Sequence, residues 1–289
     1  MKISVIIPTL NAECRISRQL DMLLRQTVEA EIIVIDSGST DVTRAIVRAH
    51  ADRVRLMEIP RESFDHGGTR DYALRQSVGD IVCFLTQDAL PTDEHCLEKL
   101  ISAFSTPDVA AVFGRQVAHS DAPEYERLTR AFNYPYTPYI WREADIPHYG
   151  VKSYFFSNVC AAYRREAYLA VGGFDAPILS NEDMMMAAKL LHAGYALAYT
   201  PAATVYHSHH YTLRQEYRRN VRIGTVMEQY QDRLTDAQVD AEGWRMLGFV
   251  GGGLAREGRI GELLGFFARV CMRFAGNRVG KRKGKRNGT

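Results

Sequence analysis

"EIIVIDSGSTD", residues 31–41, sets four β-branched residues in a row between Glu31 and Asp36, then changes abruptly to small polar residues. A short, continuous apolar run closed by a turn fits a strand buried on both faces. "KISVIIP" (2–8) upstream and "DIVCFL" (80–85) downstream are runs of the same kind. Between the first two, Ile16, Leu20, Leu23 and Leu24 fall on one face at helical spacing. "DVTRAIVRA" (41–49) and "GTRDYALRQS" (68–77) supply a second and a third helix, with "VRLMEI" (54–59) a strand between them and "VAAVFG" (109–114) a later one. Strands that alternate with helices in this way predict a parallel sheet covered on both faces. No internal repeat interrupts the pattern.

The 289 residues, 46% of them hydrophobic, can bury a substantial core. With 36 Lys and Arg against 34 Asp and Glu, the net charge of +2 gives no reason to expect a nucleic-acid partner. The charge is unevenly spread, for "RFAGNRVGKRKGKRNGT" (273–289) holds seven basic residues and no acid. Five cysteines, Cys14, Cys83, Cys96, Cys160 and Cys271, are scattered without a C-x-x-C pair, which fits a reduced compartment and a cytoplasmic location. The opening "MKISVIIPTLNAE" has an apolar run cut by Pro8, too short for a signal-peptide core, and no stretch is long enough to span a bilayer.

Ligands of such sheets bind at the carboxyl ends of the strands. Those ends here are "PTLNAE", "DSGSTD", "FDHGGTR" and "TQDALP", all rich in small, polar or acidic residues. Asp36 can accept the N3–H of a uracil or thymine ring, or it can belong to a turn with a helix cap. The glycines of "HGGTR" can let backbone approach a phosphate, with Arg70 as the counter-charge. Nothing matches a Walker loop or a G-x-G-x-x-G fingerprint.

Taken together and in this order, "SVIIPTLN", "VIDSGSTD", the strand-end acid of "LTQDA" and the downstream "NED" (181–183) resemble the family 2 glycosyltransferases, over about residues 2–211. The resemblance implies an α/β chain with the GT-A fold, a Rossmann-like, mainly parallel sheet flanked by helices. It implies a nucleotide-sugar-binding half (1–115) and an acceptor-binding half (116–211); beyond it the residues themselves read as a C-terminal helical extension with a polybasic tail (212–289). It also implies inverting transfer of a sugar from a nucleotide diphosphate. "FDHGGTR" with "LTQDA" is similar to the bacterial rhamnosyltransferases, whose donor is dTDP-L-rhamnose. Carried onto this chain, the donor site comprises Pro8, Thr9, Asn11, Asp36, Ser37, Ser39, His66, Gly67, Arg70, Gln87 and Asp88.

Most of the family holds Mg2+ or Mn2+ on the diphosphate with two acids at the "LTQDA" position, whereas here Thr86 or Gln87 replaces the first. A single carboxylate, Asp88, can still hold a cation that the diphosphate largely coordinates. "YHSHH" (206–210) lies where the family often touches the metal or diphosphate; His207 and His209 would share a face if the strand continued, with His210 opposite. The alternatives are ordinary histidines, or a metal-free enzyme using Arg70 and the histidines as cations. Direct displacement needs a base within about 3 Å of the acceptor hydroxyl. "LSNEDMMMAAKLLHAGY" (179–195) sets Glu182 and Asp183 at a helix start, where the dipole favours anions. The resemblance makes Asp183 the base, with Glu182 orienting acceptor or sugar; the alternative is a cap built from Ser180, Asn181 and Asp183.

"FNYPYTPYIWREADIPHYG" (132–150) gathers Tyr134, Tyr136, Tyr139 and Trp141. Aromatic faces pack on sugar rings, which makes Tyr136, Tyr139 and Trp141 acceptor candidates, or else parts of a packed loop or subunit interface. "SNVCAAYRREAYLAVGGFD" (157–175) reads as a strand and helix leading to the base, with Gly172 and Gly173 as the turn. "TLRQEYRRNVRIGTVMEQYQ" (212–231) reads as one helix, weakened at Gly224. In the last helix Ile260, Leu263, Leu264, Phe267, Val270, Cys271 and Phe274 share a face that runs into the basic tail. Such a helix suits an anionic membrane surface through residues 257–289, on the inner face of the cell membrane. The alternative is a helix packed on the catalytic domain or between subunits, with a disordered tail. The expected activity is therefore rhamnosyl transfer to a surface-polysaccharide or lipid-linked glycan; a UDP-hexose donor in the same fold and a non-catalytic nucleotide- or glycan-binding relative are the alternatives.

Overall fold

The β-branched runs form the expected strands in the computed structural model, which describes residues 1–209, 211–234 and 239–287. β1 (Ile3–Thr9), β2 (Glu31–Asp36), β3 (Val54–Glu58) and β4 (Ile81–Leu85) lie parallel in the order β3-β2-β1-β4. α1 (Ile16–Leu23), α2 (Thr43–Arg48) and α3 (His66–Gln76) make the crossovers. Beyond β4 come β5 (Leu90–Pro91), α4 (Cys96–Ile101), β6 (Val109–Val117), α5 (Glu124–Asn133), β7 (Tyr139–Trp141) and α6 (Ile146–Tyr149). They are followed by β8 (Cys160–Arg164), α7 (Arg165–Ala170), α8 (Glu182–His192), β9 (Ala196–Tyr206), α9 (Leu213–Gln229), α10 (Val239–Arg256) and α11 (Ile260–Asn287).

The sheet continues β4-β8-β6-β9-β5, with β7 added on β9. β8 runs antiparallel to both β4 and β6, so the sheet is parallel in its first half and mixed beyond. β6 crosses residue 115, and the two expected halves thus share one sheet. Period-two alternation fills both faces: Val82 and Phe84 join Phe113, Tyr163 and Tyr199 on one side, Ile81, Cys83 and Leu85 join Ile7, Leu20 and Val112 on the other.

Two local outcomes differ from the sequence reading. The "HGG" glycines, expected to cradle phosphate in a loop, sit in the first turn of α3. Asp65 caps that helix by accepting from the Gly68 N–H at 2.7 Å, and its other oxygen accepts from the Ile178 N–H at 2.8 Å. A Cβ on Gly67 would stand 2.2 Å from the Asp175 carbonyl oxygen, so this glycine serves the close packing of α3 on the 174–178 loop that leads to α8.

The second difference concerns the C-terminus. The basic stretch is the end of α11, ordered against α9 along a stripe of glycines four residues apart. A Cβ on Gly280 would lie 2.1 Å from the Val221 carbonyl oxygen, on Gly276 2.5 Å from that of Tyr217, and on Gly224 2.3 Å from that of Asn277. Gly224 weakens α9 as an isolated helix but is what admits α11 to its surface. Arg273 pairs with the buried Glu216 at 2.8 Å across the same contact. Of the apolar row, Ile260, Leu264, Phe267, Cys271 and Phe274 are exposed, while Leu263 and Val270 are half-buried against the cluster that the fully buried Phe266, outside the row, forms with Tyr125, Val250 and Leu254. α11 is thus packed on the rest of the chain, through its glycine stripe and through Leu263 and Val270, and the basic stretch, disordered in that alternative, is helical to Asn287.

Gly280→Ala is expected to destabilise the protein by about 1–3 kcal/mol through overpacking. Gly265→Ala on the open side of α11, where a Cβ meets nothing within 4 Å, is expected to stabilise it by roughly 0.5–1 kcal/mol. Chemical denaturation measures both, and equal effects would contradict the glycine contact.

Candidate active site

The loop after β4 is built to present one carboxylate. From α1, Gln19 donates through Nε2 to the carbonyls of Thr86 and Ala89, both at 2.7 Å. Gln87 accepts from the Leu10 N–H at 2.7 Å and donates to the Leu10 carbonyl at 3.1 Å, tying the loop after β1 to the loop after β4. Only an amide makes both bonds, since a carboxylate would turn an acceptor toward the carbonyl. This clamp engages the Gln87 amide, and an acid in its place could not make both bonds.

Asp88, held on that loop, faces His207 Nε2 at 3.5 Å, His209 Nδ1 at 3.6 Å and the exposed Arg15 guanidinium at 3.6 Å. β9 ends at Tyr206, yet the His207 N–H continues its ladder by donating to the Val117 carbonyl at 2.8 Å. Both imidazoles reach the same carboxylate, and one ligand atom from each of the three lies within 4.8 Å of the others. His210 lies outside the described residues. Burial disfavours the Asp88 anion, but His207, Thr86 and His209 around it together outweigh burial and hold the carboxyl well below its usual range. Burial, then the neighbouring His207, pulls His209 down to about 3, and burial lowers His207 also. An anionic oxygen and two neutral imidazoles with converging lone pairs are a donor set that fits a divalent cation.

The acids of "NED" open α8. Asn181 precedes them in the left-handed conformation (φ 58°) and makes no side-chain cap, so the cap alternative is not realised there. Glu182 is buried and meets the buried guanidinium of Arg70 at 3.2 Å, with Asn158 Nδ2 donating to it at 3.2 Å. Burial would raise Glu182, but Arg70 and His66 outweigh it and lower its pKa. Asp183 accepts from the Asn158 N–H at 3.2 Å and the Met184 N–H at 2.8 Å. Burial first, then the adjacent Glu182 charge, pushes its carboxyl up to about 7. A carboxyl there can take a proton near neutrality.

The other candidates divide clearly. Asp36 is fully buried, accepting from the Gly38 and Ser39 N–H groups at 3.1 and 2.9 Å and from the Ser39 hydroxyl, so the turn reading is realised. Ser39 Oγ also accepts from the Asn11 N–H at 2.8 Å, and Asn11 Oδ1 accepts from the Thr40 N–H at 2.9 Å, which brings the ends of β1 and β2 together. Thr9 and Ser37 are buried at those ends, and Pro8 is half-buried beside them. His66 opens α3 beside Phe64, and burial lowers its pKa. Tyr139 and Trp141, expected in the acceptor site, pack in β7 with ring centres 4.7 Å apart and Tyr139 4.9 Å from Tyr199, because β7 pairs with β9. Only Tyr136 stays open, 78% exposed beneath the Arg115 guanidinium.

Arg15, Gln19, Gln116, Arg130 and Asn158 escaped the sequence reading. Asn158 stands beside Ser157 in "SNVC", two residues before β8, and a polar pair ahead of a strand is the one signal available for it.

Titration of the Asp183 carboxyl, followed by its 13C resonance, is expected to show an inflection near 7. An inflection near 4, the ordinary carboxylate value, would contradict the site as described.

The sequence model of glycosyl transferase family 2 matches residues 4–172. Over 221 residues the chain is 42% identical to the O-antigen chain rhamnosyltransferase RfbN of Salmonella typhimurium, covering 76% of this chain and 70% of that protein. It is also 42% identical to the O-antigen chain rhamnosyltransferase WbaN of Salmonella anatum, over 75% of this chain and 69% of that one. Among solved structures, a mannosyltransferase from Pyrobaculum calidifontis in complex with GDP-Man and Mn2+ shares the fold with a TM-score of 0.67 at 21% identity, over 99% of this chain and 87% of that one. TarS 1–349 of S. aureus in complex with UDP-GlcNAc shares it with a TM-score of 0.60 at 17% identity, over 99% and 92%. The sheet-edge motifs, the acid pair that opens α8 and these relatives lead to one conclusion: the chain is a glycosyltransferase and belongs to glycosyl transferase family 2.

Proposed function

We propose that the chain transfers L-rhamnose from dTDP-L-rhamnose, with inversion, to a hydroxyl of a surface-polysaccharide or lipid-linked glycan. The observation that carries the sugar is the 42% identity, over most of the chain, to two O-antigen chain rhamnosyltransferases. Asp183, raised to about 7, takes the proton of the acceptor hydroxyl as its oxygen bonds to the anomeric carbon and the bond to the diphosphate breaks. Glu182, fixed as an anion by Arg70, keeps Asp183 basic. A divalent cation held by Asp88, His207 and His209 would neutralise the leaving diphosphate, and two imidazoles beside one carboxylate suit Mn2+ better than Mg2+. Arg15, exposed beside Asp88, adds positive charge at the same place.

Location follows from α11. Its exposed apolar row, with Leu264 66% and Phe274 65% exposed, leads into the exposed Arg278, Lys281, Arg282 and Lys285. This arrangement supports contact with an anionic membrane surface, each basic residue near it contributing about 1 kcal/mol. No helix among the described residues is long and apolar enough to cross a membrane.

With dTDP-L-rhamnose and Mn2+ at ~100 times the dissociation constant, the protein should gain about 2.7 kcal/mol of stability in a thermal shift. Equal stabilisation by UDP-glucose would overturn the donor. Asp183→Asn should keep that shift and lose turnover; near-normal turnover would remove Asp183 as the base. Vesicles containing phosphatidylglycerol should sediment the protein, and Leu264→Glu with Phe274→Glu should abolish this. Binding that survives, or a stable dimer using the same row, would contradict membrane contact.

A further inference from the structure

Behind His207 lies a buried polar chain that the reaction does not explain. Gln116, 2% exposed on β6, accepts through a single oxygen, Oε1, from Arg130 Nη1 at 2.5 Å and faces His207 Nδ1 with that same oxygen at 2.8 Å. Its Nε2 donates to the Tyr134 hydroxyl at 2.5 Å and the Ser157 hydroxyl at 2.9 Å. Arg130 is itself held by Glu126, at 2.9 Å. An arginine only donates, so the atom it meets on the amide has to be the carbonyl oxygen. That oxygen only accepts, so the imidazole nitrogen facing it has to carry the hydrogen.

The geometry points to Gln116 as a positioning residue that fixes His207 as the Nδ1–H tautomer, with the bare Nε2 lone pair directed at Asp88. In the opposite tautomer Nε2–H would donate to Asp88, closing the site with an internal hydrogen bond and leaving no lone pair for a cation. Ring nitrogens of metal-binding histidines are oriented in this way by an acceptor on the far side of the ring. Here the acceptor is a neutral amide whose own orientation is set by the Glu126–Arg130 pair. The cation role of Asp88, His207 and His209 is taken from the proposed function, whereas the tautomer is a property of the metal-free chain.

The test is long-range 1H–15N NMR of the histidine rings in metal-free protein, with Mn2+ affinity measured by calorimetry. Wild type should show His207 protonated on Nδ1 and bare on Nε2. Gln116→Glu keeps an acceptor and should keep both the tautomer and an Mn2+ affinity within a few-fold of wild type. Gln116→Met, similar in size without an acceptor, should lose the single tautomer and weaken Mn2+ ten- to hundredfold. A wild-type His207 protonated on Nε2 overturns the inference without any variant, as does a folded Gln116→Met protein with unchanged tautomer and affinity. Wild type with the Nδ1–H tautomer but no Mn2+ binding supports the role of Gln116 and overturns the cation site instead.

Discussion

Charge is not buried in a protein without a partner, because the desolvation of a lone ion costs several kcal/mol, and this constraint organises the surroundings of both Glu182 and Asp88. Glu182 meets the requirement inside the chain, through Arg70 at 3.2 Å, both side chains being almost fully buried. Asp88 does so only in part. Its neighbours are the buried His207 and the half-buried His209, imidazoles whose pKa values are lowered, and the arginine near it, Arg15, is 60% exposed, a loose contact worth at most about 1 kcal/mol. One acid is thus paired inside the protein, while the other is left with two imidazoles and an exposed guanidinium.

The fold exists to bring these two arrangements together. Arg70 lies on α3, whose first turn can press against the 174–178 loop because Gly67 has no side chain, and that loop delivers α8 with Glu182 and Asp183. Asp88 follows β4, and its loop is fixed from α1 by Gln19 and from the β1 end by Gln87. β6 and β9, parallel neighbours, set Gln116 beside His207. The site therefore draws on α3, β4, β6, α8 and β9, which is why no single segment displays it.

The strands were legible in the sequence because β-branched runs such as "EIIVID" have few other uses, and the order of the edge motifs pointed to Asp88, Asp183 and His207. What was not legible depended on partners distant in the chain. The glycines of "HGGTR" carry no mark that distinguishes a phosphate cradle from a helix turn packed on the Asp175 carbonyl. Tyr139 and Trp141 are as compatible with sugar stacking as with a strand, and the pairing of β7 with β9 decided between them. The glycines at 276, 280 and 284 were hidden among basic residues that suggested only a cationic tail. Gln116 lies in mid-strand with no motif around it, and its meaning appears only when Arg130 and His207 are set against it.

The central claim is that one carboxylate and two imidazoles hold the cation on which the diphosphate rests. Pulsed electron paramagnetic resonance of the Mn2+ complex with dTDP, comparing 14N- and 15N-histidine protein, tests it most directly. The account predicts 31P couplings from the diphosphate together with couplings from two histidine nitrogens, one of which disappears in His207→Ala. Strong 31P couplings with no histidine nitrogen in the spectrum would contradict it.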